Sequence, residues 1–421
     1  MNLLKSSVQI VHKVVHGYTL LYAIVAMIII TAFSLFILSA FNLCSHSVNV
    51  AKRQDLSFLY CYQGLSYIDS LKGMNREYTF EYGEDYKLNV SKKQWGLYQI
   101  YSAVITSGTS DTVNTKLALI GLQRDTATNI SLFLRNTNAT FYLSENVSIT
   151  GKCLIPLGFV KKYGNTVNSD LPKQQVLSSP DTLPSLKNAD TLIKSLFSNQ
   201  VYANSILRIK DTLDVSFLDP TVMLSADTVV IDGSLCGNIV ITAKKLFIHS
   251  NSKLSNIVIA ASDIYISDYF EGNCQLFATD SILIGRSATF NYPSVIGLFP
   301  NTKNISQAHE FKPVIQIDDS LKLYGEIYGY AKDYNISSKL MVSIGKGSFI
   351  KGGIYVNSNL SWQGTCMGSI VCDKILYQGK GSIYENMIGN VAMHPDSLSD
   401  FYCYSLIFPF STGAKVVTWL K

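Results

Sequence analysis

The chain has 421 residues, 47% of them hydrophobic and only 15% charged, with 25 Tyr, 20 Phe and a formal net charge of +5. This composition supports one or two folded domains with a sizeable core. The 35 Lys and Arg are scattered and form no basic block, which excludes nucleic acid as the expected partner.

Residues 1–17 read as a short cytoplasmic tail or leader. Residues 18–41, YTLLYAIVAMIIITAFSLFILSAF, contain no charged side chain. As a helix this run is roughly 36 Å long, enough to cross a hydrocarbon core of ~30 Å with some tilt. It is longer than the apolar region of a cleaved secretory signal, and Leu38 spoils the small-residue pattern at Ser39-Ala40, so a retained anchor is expected. Lys5 and Lys13 before the run nearly balance Lys52 and Arg53 after it. Orientation therefore rests on the short tail and on the large following domain rather than on flanking charge. Residues 42–73 read as a helical stem, with Leu56, Leu59, Tyr60, Leu65, Ile68 and Leu71 at 3–4 spacing and Gly73 as a stop.

From Glu77 the period changes to that of strands. Residues 74–156 read as a β-rich domain, a meander of Tyr-, Val-, Ile- and Leu-rich runs broken by Gly, Ser, Asp and Lys. Residues 157–200, with Pro172, Pro180 and Pro184, read as a linker or excursion holding one short helix near 190–197. Residues 201–390 carry a repeat. Val229-Val230-Ile231, Leu246-Phe247-Ile248, Ile264-Tyr265-Ile266 and Ile282-Leu283-Ile284 follow one another at 17, 18 and 18 residues. In step with them run Asn238-Ile239-Val240-Ile241, Asn256-Ile257-Val258-Ile259 and Gln275-Leu276-Phe277. Two short strands per ~18 residues suit a parallel β-solenoid, each rung stacking its apolar residues ~4.8 Å from the next. Gly345-Lys346-Gly347-Ser348 and Gly379-Lys380-Gly381-Ser382, 34 residues apart, fit two rungs. An antiparallel sandwich is the competing architecture. Residues 391–421 would cap the domain. The expected fold is thus mainly β: a transmembrane helix, a β-rich stem and a β-solenoid ectodomain.

Catalytic signatures are sparse. There is no HExxH and no GxSxG, and His12, His16, His46, His249, His309 and His394 are isolated. In the Gly-Lys-Gly-Ser segments Gly follows Lys where a phosphate loop needs Ser or Thr, so they read as turns. Asp318-Asp319 could serve as paired carboxylates of a β-helical carbohydrate-active enzyme, against the simpler reading of a solvated turn. Trp95, Trp362 and Trp419 could stack on sugars, against core or rim packing. The eight Cys (44, 61, 153, 236, 274, 366, 372 and 403) form no CxxC, which leaves both disulfides and buried free thiols open. No cofactor or metal set emerges.

One motif is enriched. Asp followed by Ser or Thr and an apolar residue accounts for ten of the 22 Asp residues. It resembles the O-glycosylation sequon of Bacteroidota envelope proteins, which makes Ser70, Thr112, Thr126, Thr182, Thr191, Thr212, Thr228, Ser281, Ser320 and Ser397 candidate acceptors. The same dipeptide is also a good turn or cap before a strand. Asn-x-Ser/Thr occurs at Asn89, Asn129, Asn138, Asn146, Asn304, Asn335 and Asn359.

Two wider resemblances bear on function. Gly17-Tyr18-Thr19-Leu20-Leu21-Tyr22 resembles a prepilin start, with Tyr22 where pilins carry Glu. The stretch Trp95-Gly96-Leu97-Tyr98, Leu117–Gly121, Leu132-Phe133-Leu134 and Val147–Pro156 is similar to single-span Bacteroidota proteins of prepilin-like, gliding or surface-adhesin systems. These resemblances imply a single-pass protein of the inner membrane, anchored through residues 18–41, with its bulk in the periplasm and other envelope proteins as partners. Together with the repeat they favour a non-catalytic scaffold or assembly component. The alternatives are a β-helical carbohydrate-active enzyme and a sugar-binding module.

Overall fold

The computed structural model describes residues 2–68, 77–82, 86–107, 112–163, 169–170, 175–198, 205–300, 312–379 and 381–420. Its contacts divide the chain into two compact units. One comprises residues 1–67, 79–89 and 103–115; the other comprises residues 68–78, 90–102 and 116–421.

The first unit is built on a single helix, Asn2–Ile68, roughly 100 Å long at ~1.5 Å per residue. From Tyr18 onward it is long and apolar enough to cross a membrane, and its large side chains between Tyr18 and Phe41 are exposed. Within the run Thr31 Oγ1 donates to Met27 O (2.7 Å), Ser34 Oγ to Ile30 O (2.8 Å) and Ser39 Oγ to Phe36 O (2.9 Å). These hydroxyls are satisfied by their own helix, as an apolar surrounding requires. Beyond the run the expected stem is helical through Ile68; Leu71 and Gly73 lie outside the described residues. Its buried face differs from the one the apolar spacing predicts. Leu56 and Leu59 are exposed, whereas Ser57 and Cys61 are buried. Small side chains let strands approach closely: Cys61 Sγ donates to Ala103 O (3.6 Å), Asn114 Nδ2 donates to Ser57 Oγ (3.1 Å), and Tyr60 stacks on Tyr82 at 4.4 Å.

The second unit is dominated by a parallel ladder. Ile206–Ile209 pairs with residues 228–231, these with 245–248, and so on through 263–266, 281–284, 314–317 and 341–344. The 17-, 18- and 18-residue steps seen in the sequence are therefore the true pairing register. The second apolar series also pairs in parallel: residues 222–226, 239–243, 257–261, 274–278, 295–298, 326–329 and onward to 353–356. A third ladder, which sequence reading missed, runs through residues 212–215, 234–237, 253–255, 271–272, 289–290, 322–323 and 349–350.

Parallel register makes apolar columns. Leu224, Ile241, Ile259, Leu276, Ile296, Ile327 and Ile354 form one; Ile209, Ile231, Ile248, Ile266, Ile284, Ile317 and Ile344 form another. Almost all are buried in one core cluster. Each such side chain contributes roughly 1.5–3 kcal/mol of transfer free energy.

Two expectations are corrected. The second Gly-Lys-Gly-Ser segment is not a rung: Gln378 pairs antiparallel with Ile383, so these glycines turn a hairpin. The meander expected over residues 77–150 also stops short. Ile130–Leu134 pairs in parallel with residues 370–372, and Val147–Ile149 in parallel with Val391–Met393. Alternation of apolar residues shows that a segment is a strand without showing its partner.

Candidate functional site: a buried carboxyl on the ladder's outer face

One face of the second ladder is covered rather than solvated. Its outward positions run Val240, Val258, Gln275, Val295, Glu326 and Gly353 in one column, and Thr242, Ala260, Phe277, Gly297, Tyr328 and Tyr355 in the next. Against them pack Leu97, Tyr98 and a C-terminal segment containing Leu398, Tyr402, Tyr404, Ile407 and Phe408, forming a second core. Gly353 and Gly297 suit this packing. A Cβ at Gly353 would run into the Phe408 ring, and one at Gly297 into Phe299.

Two polar side chains in the first column act as clamps on what lies over them. Gln275 accepts from Leu97 N at 2.8 Å and donates to Trp95 O at 3.1 Å, holding the turn before Tyr98. Glu326 is fully buried. Its Oε1 accepts from Ser405 N at 2.8 Å and its Oε2 accepts from Tyr328 Oη at 2.7 Å. Tyr328 Oη also lies 2.7 Å from Ser405 Oγ. No Lys, Arg or His pairs with Glu326 among the described residues. Burial outweighs these hydrogen bonds and pushes its carboxyl up to about 7. The surrounding phenols of Tyr98, Tyr328 and Tyr402 are driven well above their ordinary value, first by burial and then by the nearby carboxylate.

Beside this cluster the ladder opens a groove of about 490 Å³ lined by Glu271, Thr289, Asn291, Tyr292, Lys322 and Tyr324. Its origin is local: between Phe290 and Ser294 the register shifts against the neighbouring strand. Tyr292 belongs to both places, since its hydroxyl donates to Cys403 O at 2.9 Å and its ring lies 5.2 Å from that of Tyr402.

The residues singled out in the sequence do not converge on this place. Asp318 and Asp319 sit at a corner of the ladder, where Asp319 Oδ1 accepts from Lys346 N at 2.7 Å. That carboxylate is spent on a turn, as the simpler reading expects. His249 Nε2 lies 4.0 Å from Asp232 Oδ1, and His394 Nδ1 lies 3.5 Å from Thr150 Oγ1. Trp95 is buried edge-on to Phe217 at 5.3 Å, Trp362 is in the main core and Trp419 is exposed. Phe247 and Tyr265 do form an aromatic pair on the first ladder's outer face, but their rings stack on each other at 4.8 Å and 12°. They turn their faces to each other, whereas a sugar needs an open face.

Among the described residues no group of three His, Cys, Asp or Glu is placed to hold a metal. All eight Cys are free thiols: Cys44 is exposed, Cys236 half-buried and the rest buried. Burial pushes the Cys153 and Cys366 thiols up to about 12 and those of Cys274 and Cys372 higher still, so they pack as small apolar groups.

The candidate acceptors are dispersed. Thr112, Thr126, Thr182, Thr191, Thr212, Ser320 and Ser397 are exposed, Thr228 and Ser281 are half-buried, and Ser70 lies outside the described residues. Two of the preceding Asp side chains have partners: Asp125 Oδ1 accepts from Ala127 N at 3.0 Å within its own turn, and Asp396 Oδ1 accepts from the distant Asn129 Nδ2 at 2.6 Å.

Sequence reasoning missed Glu326. Its only signal was a charged residue inside the run Gly325–Tyr330, where every neighbour suits a buried rung. Set against family models, characterised proteins and solved structures, the chain matches none of them.

Proposed function

We propose that the chain is a non-catalytic, membrane-anchored scaffold of the cell envelope, and that its parallel ladder is a β-solenoid. The observation that carries this reading is the in-register stacking of seven apolar residues per column, with polar side chains such as Gln275, Glu326 and Asp319 committed to holding backbone. A repeat-built rigid body of this kind offers long strand faces for docking. In this reading the apolar run at residues 18–41 anchors that body in the inner membrane with its bulk in the periplasm, and the resemblance of Gly17-Tyr18-Thr19-Leu20 to a prepilin start supports a part in prepilin-like or gliding and adhesin assemblies.

The rival reading is a carbohydrate-active or sugar-binding solenoid, and the groove at Tyr292 and Tyr324 is its best support. Glu271 is the one carboxylate lining that groove, whereas glycoside hydrolysis ordinarily uses two. The deciding experiment is in-membrane photo-cross-linking from outward ladder positions such as Lys245, combined with polysaccharide turnover assays on the purified full chain. Defined envelope partners and no turnover are expected. Turnover that disappears in D318N/D319N would overturn the scaffold reading.

We also propose that the exposed Asp-Ser/Thr sites carry O-linked glycans. Seven exposed acceptor hydroxyls support this. The intact mass of the protein from its native source should exceed that of the bare chain by whole glycan units, and equality of the two masses would refute it.

A further inference from the structure

The C-terminal segment 402–410 lies over the ladder face as a strap, and one acidic side chain bonds to its middle. Glu326 stands in a column otherwise occupied by Val, Gln and Gly. It reaches outward to the backbone N–H of Ser405, at 2.8 Å from one carboxylate oxygen and 3.1 Å from the other. On either side of Ser405 the strap is apolar: Tyr404 stacks on Phe408 at 4.1 Å, and Tyr402 meets Tyr404 at 5.0 Å. Backbone also holds the strap: Cys403 and Tyr404 pair antiparallel with Gln123 and Leu122, Leu406 N donates to Leu97 O at 2.9 Å and Lys187 N to Ile407 O at 3.0 Å, so the bonds to Glu326 are the attachment that a proton can alter.

Among the described residues, the titratable groups facing this carboxyl come from its own strand and from the elements packed on it. Tyr328 comes from the same strand, Tyr292 from the neighbouring one and Tyr98 from the turn clamped by Gln275; Tyr402, Cys403 and Tyr404 come from the strap. Arg124 lies toward Tyr404 and Lys415 toward Cys403, and neither pairs with Glu326. The hydroxyls of Tyr98, Tyr402 and Tyr404 are buried; that of Tyr98 interacts with Glu326 and that of Tyr404 with Ser369, both short of ideal hydrogen-bond geometry. Burial favours the neutral carboxyl, whereas the Ser405 N–H and Tyr328 O–H that donate to it favour the carboxylate, and burial outweighs them. A carboxylate there has no counter-charge, and hydration is recovered only if the strap lifts.

We propose that Glu326 is a proton-operated latch: protonated, it keeps the 402–410 strap seated on the ladder, and ionisation releases the strap into solvent-exposed excursions. This is a function the scaffold reading does not require, and it stands or falls separately from it. The sign follows from linkage. The carboxyl is raised in the seated state to about 7 from an ordinary 4.5. Strap stability is full below the lower value, declines as pH rises between the two and levels off above the higher one. The opening constant should rise about tenfold per pH unit between roughly pH 5 and pH 7, then flatten.

The test is amide hydrogen exchange on the full chain in detergent micelles from pH 5 to 8.5, corrected for intrinsic exchange rates. Peptides covering 402–408 are compared with the ladder segment 239–248. The expected result is a pH-dependent loss of protection in the strap alone, absent in E326Q and in E326L, whichever of the two folds. A flat wild-type profile overturns the proposal. So does an equal loss in the ladder, or a step that survives in either variant.

Discussion

Gly352 shows how one residue can be fixed by what lies over it. Its φ is 148°, and a Cβ there would meet both Gly325 O and Tyr402 Oη. Gly352→Ala should lose roughly 2–3 kcal/mol of stability, the scale of a strained backbone plus a close contact. Gly413 is the control. A Cβ there meets nothing within 4 Å, so Gly413→Ala should stay within about 0.5 kcal/mol. Denaturant midpoints of the two full-length variants at unchanged slope check both values. A loss at Gly413 equal to that at Gly352 would mean that neither the backbone conformation of Gly352 nor its close contacts to Gly325 O and Tyr402 Oη set the cost. Residue-scale roles of this sort were the least legible in the sequence. Glu326 is read by the backbone N–H of Ser405, 79 residues away, and a backbone donor leaves no mark on composition. The Asp319 turn was legible because Asp in turns is a local preference, although its partner, Lys346 N, lies 27 residues away in a strand.

At the scale of elements the apolar columns set stability. Ile259 lies fully buried between Ile241 and Leu276. Ile259→Ala should cost roughly 2–5 kcal/mol and Ile259→Val about 1 kcal/mol, since a gap in a rigid column is filled only in part by its neighbours. Thermal unfolding of the two variants measures the ratio; equal losses would place Ile259 outside the packed core. The two long ladders were legible because each repeats an apolar triplet at nearly constant spacing. The third escaped notice because its strands are short, its steps are uneven and its inward column, Leu213, Leu235, Leu254, Gly272, Phe290, Leu323 and Ile350, is interrupted at Gly272. The paired Gly-Lys-Gly-Ser segments misled for a physical reason. Glycines at positive φ serve a ladder corner at Gly347 and a hairpin at Gly381 equally well. In the stem, helical spacing was right and its buried face wrong, because Ser57 and Cys61 allow closer contact than Leu56 and Leu59.

For the molecule as a whole, the sequence announced the long apolar N-terminal helix and the repeat, and concealed how the ladder ends. The run 18–41 is legible because crossing a membrane needs length and apolarity alone. The end of the ladder is not, because the strands that extend it, Ile130–Leu134 and those near it, come from roughly 240 residues earlier in the chain than their partners at 370–372. This arrangement has a consequence in time. Synthesis at about 5–20 residues per second leaves that early segment waiting on the order of 12–50 s before its partner strand exists. During that interval Leu132, Phe133 and Leu134 can pair on one side with residues 152–154, while the side that later meets residues 370–372 is an open apolar edge. The growing protein is therefore most exposed to mispairing while it is being made, and a holding chaperone acting on residues 130–155 would be matched to that interval.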